Sequence, residues 1–329
     1  MHVSVICTVL NEGEAIRRLL DSLAGQTRPA DEVVVVDGGS RDRTVAIIEE
    51  YQGRLPLTIL VRPGANISAG RNHAIAAAAG EVIAATDAGV WLEARWLERL
   101  VAPFTDDAGV NLVAGFFVAD PATPFELAMG ATVLPALADV NPATFLPSSR
   151  SVAFRKTAWA AAGGYPEWLD YCEDLIFDFN LRDRCGPFAW APEAVAHFRP
   201  RSTLKAYFRQ YYRYARGDGK ADLWRKRHAV RYLTYLVGLP AALWLAWRLP
   251  AAGLAALLAG GAVYCATPYR RLRPHLPALN PRNRPFTLLL VPIIRVTGDL
   301  AKMAGFPAGW VWRLRNWRRP EIHWQERKS

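Results

Sequence analysis

Glu32-Val33-Val34-Val35-Val36-Asp37-Gly38-Gly39-Ser40 is a run of β-branched residues that ends on a carboxylate and a glycine-rich turn. Such a run predicts a buried strand. Upstream, Val3–Val9 is a second apolar strand. Asn11 follows it as a helix cap, with Glu14 in capping-box register and Ile16, Leu19, Leu20 and Leu23 at helical spacing. Downstream, the turn leads into a helix through about Tyr51, a strand over Leu57–Val61 and an Ala-rich helix over Ser68–Ala79. Glu81–Thr86 is a fourth strand ending at Asp87, followed by a helix over Leu92–Ala102 and a strand over Asn111–Val118. This alternation predicts an α/β domain with a Rossmann-like, mostly parallel sheet and helices on both faces.

In such sheets ligands bind at the carboxyl ends of the strands. Polar positions fall there three times: Thr8 to Glu12 after the first strand, Asp37 after the second and Asp87 after the fourth. No G-x-G-x-x-G follows the first strand and no G-x-x-x-x-G-K-[ST] occurs anywhere, so neither a dinucleotide redox cofactor nor a P-loop is supported. Acidic groups at strand ends suit ribose hydroxyls, base N–H groups and metal-bound diphosphate. One Asp after a strand is commonly a turn residue or helix cap; the joint placement is the stronger signal.

The 329 residues exceed one typical domain, and a hydrophobic share of 51% excludes a disordered or fibrous chain. The net charge of +10 conceals an asymmetry. Residues 1–199 carry 16 Lys and Arg against 25 Asp and Glu, which leaves 24 basic and 5 acidic residues for 200–329. Cys7, Cys172, Cys185 and Cys265 form no C-x-x-C pair and fit free thiols in a reducing compartment. Met1–Leu10 lacks the basic lead and cleavage site of a signal peptide.

The long uncharged stretches lie in the basic half. Tyr232–Trp247 has 16 residues without a charge and Leu249–Tyr269 has 21, with only Arg248 between them. At about 1.5 Å per residue the first is slightly short for a hydrocarbon core of ~30 Å and the second long enough. Arg225, Lys226, Arg227 and Arg231 precede the pair, and Arg270, Arg271 and Arg273 follow it. By the positive-inside rule both outer ends are cytoplasmic, giving a transmembrane helical hairpin over 232–269 that turns near Leu249–Pro250. A buried hairpin in a soluble protein is the alternative reading. Residues 285–312 are apolar but interrupted by Arg295, Asp299 and Lys302 at i, i+4, i+7, which suits an interfacial or third membrane-associated helix over 285–318. Residues 201–231 read as an amphipathic interfacial region, with Leu204, Tyr207, Phe208, Tyr211, Tyr212 and Ala215 on one face and Arg209, Arg213 and Arg216 on another. The basic tail adjoins apolar spans, so anionic membrane lipids are its expected partner and nucleic acid is not.

The order of segments resembles the family 2 glycosyltransferases of GT-A fold. The resemblance rests on Val3 to Glu12, Val36-Asp37-Gly38-Gly39-Ser40-Arg41-Asp42-Arg43-Thr44, Gly70-Arg71-Asn72 and Thr86-Asp87-Ala88-Gly89. It continues through Gly163-Gly164-Tyr165-Pro166-Glu167, Glu173-Asp174 and Gln210-Tyr211-Tyr212-Arg213-Tyr214. It implies a GT-A catalytic domain over 1–200, its nucleotide half about 1–118 and its acceptor half about 119–200, followed by membrane helices. It implies that Thr8, Glu12 and Asp37 line the nucleoside pocket, that Arg71 sits near base or diphosphate, and that Asp87 meets the metal-bound diphosphate. Of Glu173 and Asp174, Asp174 is by position the general base. Adjacent Glu-Asp is otherwise an acidic first helical turn.

Two departures stand out. The family's D-x-D reads Asp87-Ala88-Gly89, and its Q-x-x-R-W reads Gln210-x-x-Arg213-Tyr214. The expected divalent cation, Mg²⁺ or Mn²⁺, is therefore weakly held by the protein alone, through Asp87 and through His197 in Ala196-His197-Phe198. A lone His is otherwise structural. Gln210, Arg213 and Tyr214 face acceptor or diphosphate. The implied activity is an inverting transfer from a nucleotide diphosphate-sugar to a lipid-linked or nascent-glycan acceptor, by an integral protein of the cytoplasmic membrane whose catalytic domain faces the cytosol. Alternatives are a polyprenyl-phosphate glycosyltransferase, a processive synthase and a catalytically inactive, membrane-anchored nucleotide-sugar binder.

Overall fold

The computed structural model describes residues 1–325. In chain order it begins with β1 (Val3–Val9), α1 (Ile16–Ala24), β2 (Glu32–Asp37), α2 (Thr44–Glu49), β3 (Leu57–Val61), α3 (Ile67–Ala77), β4 (Val82–Ala85) and β5 (Val90–Leu92). Next come α4 (Trp96–Asp106), β6 (Leu112–Ala119), α5 (Pro124–Val133), β7 (Val152–Arg155), α6 (Lys156–Ala162), α7 (Glu173–Cys185) and β8 (Ala189–Phe198). The remainder is helical: α8 (Leu204–Ala221), α9 (Arg225–Leu233), α10 (Leu239–Arg248), α11 (Pro250–Leu272) and α12 (Arg284–Arg315).

The chain divides into two compact units. The first, Met1–Asp120 with Asp139–Arg199, holds a sheet of order β3-β2-β1-β4-β7-β6-β8-β5. Strands β1 to β4 pair in parallel. β7 runs against both β4 and β6, and β5 against β8, so the sheet as a whole is mixed. The valine run explains itself here: Val33 and Val35 enter the core on one face, Val34 and Val36 that on the other. A strand covered on both faces has no side left for polar residues.

Two local expectations change. Val90–Leu92 is a short strand on β8, and the helix assigned from Leu92 begins at Trp96. Asn11 takes a φ of 54° and does not cap α1; its side chain accepts the Arg41 N–H at 2.9 Å. The N–H groups of Glu12 and Gly13 go instead to Thr44 Oγ1, both at 2.9 Å. A hydroxyl from a distant helix has taken the capping role, which the local motif could not reveal.

The second unit comprises Pro121–Ala138 and the segment from Pro200 onward. Sequence reasoning assigned 121–138 to the acceptor half; in the structure Ala128 and Met129 of α5 join a core with Tyr207, Cys265, Leu290 and Val291. Helix α12, 32 residues long, packs along α8 through glycines. A Cβ at Gly305 would stand 2.2 Å from the Tyr212 carbonyl oxygen, and one at Gly309 2.1 Å from that of Arg216. The two backbones therefore touch, as small residues permit in close-packed helix pairs. Arg225–Arg248 and Pro250–Ala278 are long and apolar enough to cross a membrane. Their apolar side chains are bared, Trp247 being 73% and Val263 80% exposed. That is not how a hairpin in a water-soluble core presents itself.

Candidate active site

The parallel register sets Thr8 opposite Val36 and Ile6 opposite Ala85, so β1, β2 and β4 end along one edge. Helix α3 lies against that edge. A Cβ at Gly70 would come 2.8 Å from the Thr8 methyl, so only glycine allows the approach. The neighbouring Arg71 is thereby carried inside, where it is 3% exposed. Asn72 fixes the same helix to α6 and the chain just beyond it: its Nδ2 donates to the Tyr165 carbonyl at 2.9 Å, and its Oδ1 accepts from the Tyr165 N–H at 2.8 Å and Trp159 Nε1 at 3.1 Å.

Arg71 donates to Asp87 Oδ1 and to Glu173 Oε1, each at 2.8 Å, with its guanidinium 5.1 Å from the Tyr165 ring centroid. The fork geometry of arginine lets one cation clasp two carboxylates from different elements. Asp87 also faces Arg150, whose Nε lies 3.6 Å from Oδ2. Arg150 reaches this edge because β7 is antiparallel to β4, with Val152 opposite Ala85; Arg150, two residues before β7, thus lies beyond the point where β4 ends. Its guanidinium rests 4.5 Å from the Phe198 ring centroid.

Glu173 and Asp174 open α7 after Cys172, which adopts a φ of 66°. The Leu175 N–H donates to Asp174 Oδ1 at 2.9 Å, and a helix N-terminus favours negative charge. Burial and the adjacent Asp174 push the Glu173 carboxyl up to about 7, against the pull of Arg71. Burial raises Asp174 as well, with Arg71 and Arg150 opposing. Burial works against ionisation of Asp87 too, yet Arg71 and Arg150 hold it below the usual carboxylate value. One turn along α7, buried Asp178 is raised well above the ordinary value by burial and then by Asp174, and its Oδ2 has no hydrogen-bond partner among the described residues. The site therefore pairs an ionised carboxylate, Asp87, with carboxyls that hold protons more tightly: the separation that acid–base chemistry requires.

Of the residues expected from sequence, Arg71, Asp87, Glu173 and Asp174 come together, with Thr8 under the same helix. Asp37, 1% exposed, is engaged by its own turn, where Oδ2 accepts from the N–H groups of Gly39 and Ser40 at 2.9 and 2.8 Å. Glu12 is half-buried in the loop after β1. His197 stacks on Trp91 at 3.8 Å, and its Nε2 lies 3.0 Å from Glu93 Oε1. Asp87 and His197 thus have separate partners. Among the described residues no three His, Cys, Asp or Glu side chains cluster so as to hold a metal ion. On α8, in the second unit, Gln210 Nε2 donates to Tyr214 Oη at 2.8 Å across one turn, and Arg213 lies on the same helix. Arg150 and Asp178 were not singled out by sequence, and Asn72 and Tyr165 stood in quoted motifs without a role.

Residues 4–156 match the model of the family described as Glycosyl transferase family 2. The glycosyltransferase AglE of Haloferax volcanii is 38% identical over 34% of this chain and 38% of its own length. The O-antigen chain rhamnosyltransferase RfbN of Salmonella typhimurium is 23% identical over 63% of this chain and 71% of its own. The chain thus spans well under half of AglE. Among solved structures, the mannosyltransferase PcManGT of Pyrobaculum calidifontis, in complex with GDP-Man and Mn²⁺, superposes with a TM-score of 0.55 at 22% identity, covering 92% of this chain and 87% of that one. Residues 4–156 thus match a glycosyl transferase family 2 domain, and the fold is of the GT-A kind.

Proposed function

We propose that the chain is an inverting glycosyltransferase that moves a sugar from a nucleotide diphosphate-sugar to a lipid-linked or nascent-glycan acceptor at the cytoplasmic face of a membrane. The observation that carries the reading is the Arg71 clasp, which holds Asp87 beside the Glu173–Asp174 helix start. Asp174 takes the proton from an acceptor hydroxyl as its oxygen bonds to the anomeric carbon. The bond from that carbon to the diphosphate oxygen breaks on the opposite face, and its electron pair leaves with the nucleoside diphosphate. Thr8, Glu12 and Asp37 stand on the nucleoside side, and Gln210, Arg213 and Tyr214 belong to the acceptor and diphosphate.

Mg²⁺ or Mn²⁺ would supply positive charge to a leaving diphosphate. Its named ligands fit poorly here: Asp87 is flanked by two guanidinium groups and His197 is held by Glu93, so no step is assigned to a metal. Arg71 and Arg150 are the cations that this fold itself brings to the edge beside Asp87.

A panel of UDP-, GDP- and dTDP-sugars tests the reading directly. The matching donor, at a hundred times its dissociation constant, is expected to stabilise the purified chain by about 2.7 kcal/mol, which raises the melting temperature by roughly 5 °C or more. It should also be slowly hydrolysed. No shift and no hydrolysis with any member would overturn the assignment.

The membrane placement rests on the bared hairpin and on the basic residues at both of its outer ends. The chain is expected to resist extraction by high salt and carbonate and to require detergent. A full-length protein that stays soluble and monodisperse without detergent would show that the hairpin is covered some other way.

A further inference from the structure

In the second unit, Arg225–Arg248 and Pro250–Ala278 enclose a groove of about 430 Å³. Its walls include Tyr235, Leu239, Ala242, Leu257, Gly260 and Gly261. The first helix is not regular there: Thr234–Gly238 forms a turn of π-helix, and Thr234, Tyr235 and Gly238 from it face the groove. Such turns open a helix locally and recur at functional sites. On the other side, a Cβ at Gly260 or Gly261 would meet nothing within 4 Å, so these glycines keep the groove open without serving helix contact.

The polar side chains lining the groove are those of Thr234, Tyr235 and Tyr264, and Arg295 adjoins the lining residue Val296 in sequence. Tyr264 Oη donates to Asp299 at 2.6 Å, while Tyr235 Oη is 2.8 Å from Tyr264 Oη. Asp299 is already matched by Arg231, whose Nε donates at 2.7 Å. Two more cations remain. Arg295 lies 4.5 Å from the Tyr264 ring centroid and its Nε has no hydrogen-bond partner among the described residues. Lys302 sits 5.0 Å from the Tyr211 ring centroid. The next acid, Asp218, is 3.1 Å from His228. Arg295, Asp299 and Lys302 are the i, i+4, i+7 set of α12, so the helix presents two cations and one already-matched anion along one face. Asp218 and Asp299 both act on Lys302, so Arg231, Arg295 and Lys302 against these two acids leave one net positive charge. An excess cation beside apolar walls is costly unless an anion joins it, and charged groups at membrane depth mark ligand sites more often than structural ones.

We propose that this groove holds the hydrocarbon chain of a lipid phosphate, with the phosphate on Arg295 and Lys302, as the anchor of the acceptor. The volume is near the lower end for ligand cavities, roughly 300–1,000 Å³, and suits one long chain rather than the paired chains of a bilayer phospholipid. The proposal rests on the reading that the chain works on a lipid-borne acceptor.

Binding to the detergent-purified full chain, followed by native mass spectrometry, separates the possible occupants: a polyprenyl phosphate, the corresponding polyprenol, and phosphatidylglycerol. The polyprenyl phosphate is expected to bind at least about tenfold more tightly than either of the others, one charge-assisted hydrogen bond being worth that much. The Arg295→Gln/Lys302→Gln double variant should lose that advantage. Gly260→Leu should lower binding by a similar factor with an unchanged melting temperature, since its side chain projects into the groove from a position where a Cβ meets no protein atom within 4 Å. Equal retention of polyprenol would mean that the phosphate is not read, and equal retention of phosphatidylglycerol that only a bilayer lipid sits there. Undiminished binding by a folded Gly260→Leu variant would remove the groove. Lipid binding without transfer from any nucleotide sugar would instead sink the enzymatic reading and leave the groove standing.

Discussion

Asp174→Asn is expected to lower sugar transfer by about 10²-fold or more, the usual scale for loss of a general base, while donor binding stays close to that of the native chain. Asparagine keeps the size of the side chain and can still accept the Leu175 N–H, so the start of α7 need not rearrange. The direction of the pH dependence follows from burial. Asp174 and Glu173 both bind protons more tightly than ordinary carboxyls, Glu173 moving from 4.5 to about 7. A base works in its deprotonated form, so transfer should climb with pH as Asp174 ionises, and the climb should lie above the ordinary aspartate range. Stability should run the other way. A carboxyl whose pKa is raised in the folded chain binds more protons there than in the unfolded one, so its contribution is present at low pH and is lost as pH rises from 4.5 through about 7. Equal turnover by the native chain and the Asp174→Asn variant at saturating donor would remove Asp174 from the mechanism.

Arg71→Leu should destabilise the first unit by about 3–5 kcal/mol, the cost of leaving buried charge without its partner. The magnitude is decisive because a domain has only about 5–15 kcal/mol in total. Leucine would strand Asp87 and the 7%-exposed Glu173 together, and would also remove the cation over Tyr165. Lysine, a point charge without the fork, should recover part of the loss, since it can face one carboxylate well but not both. The deficit of the leucine variant should shrink in acid, where Glu173 takes up a proton and needs no partner. Urea unfolding of the three chains at pH 5 and pH 8 measures this; a leucine variant with the native midpoint at pH 8 would show that the clasp carries no stability.

Much of the first unit was legible because its information is local. Four valines in succession can only be buried on both faces, and such strands belong to a sheet covered by helices on each side. Once β1, β2 and β4 are parallel, their carboxyl ends share an edge, and Asp87 is placed without any knowledge of the rest. Gly70-Arg71-Asn72 was readable only as a motif. Its reason is spatial: glycine for the Thr8 contact, arginine for the two carboxylates, asparagine for the Tyr165 backbone.

The elements that sequence left out are those set by pairing across long separations. Arg71 meets Glu173 from 102 positions away. Arg150 has no periodicity or motif around it and joins the site solely because β7 reverses direction beside β4. Thr44 overrides the cap expected of Asn11, and α5 packs into the core of the second unit although it follows a strand of the first. By itself the sequence determined the periodicity of each element, and with it burial, because repeats of two or 3.6 residues are written in neighbouring side chains. Strand direction, the partners of each buried charge and the groove between two apolar helices were decided only by the tertiary structure, because their free energies are sums over segments that no local window contains.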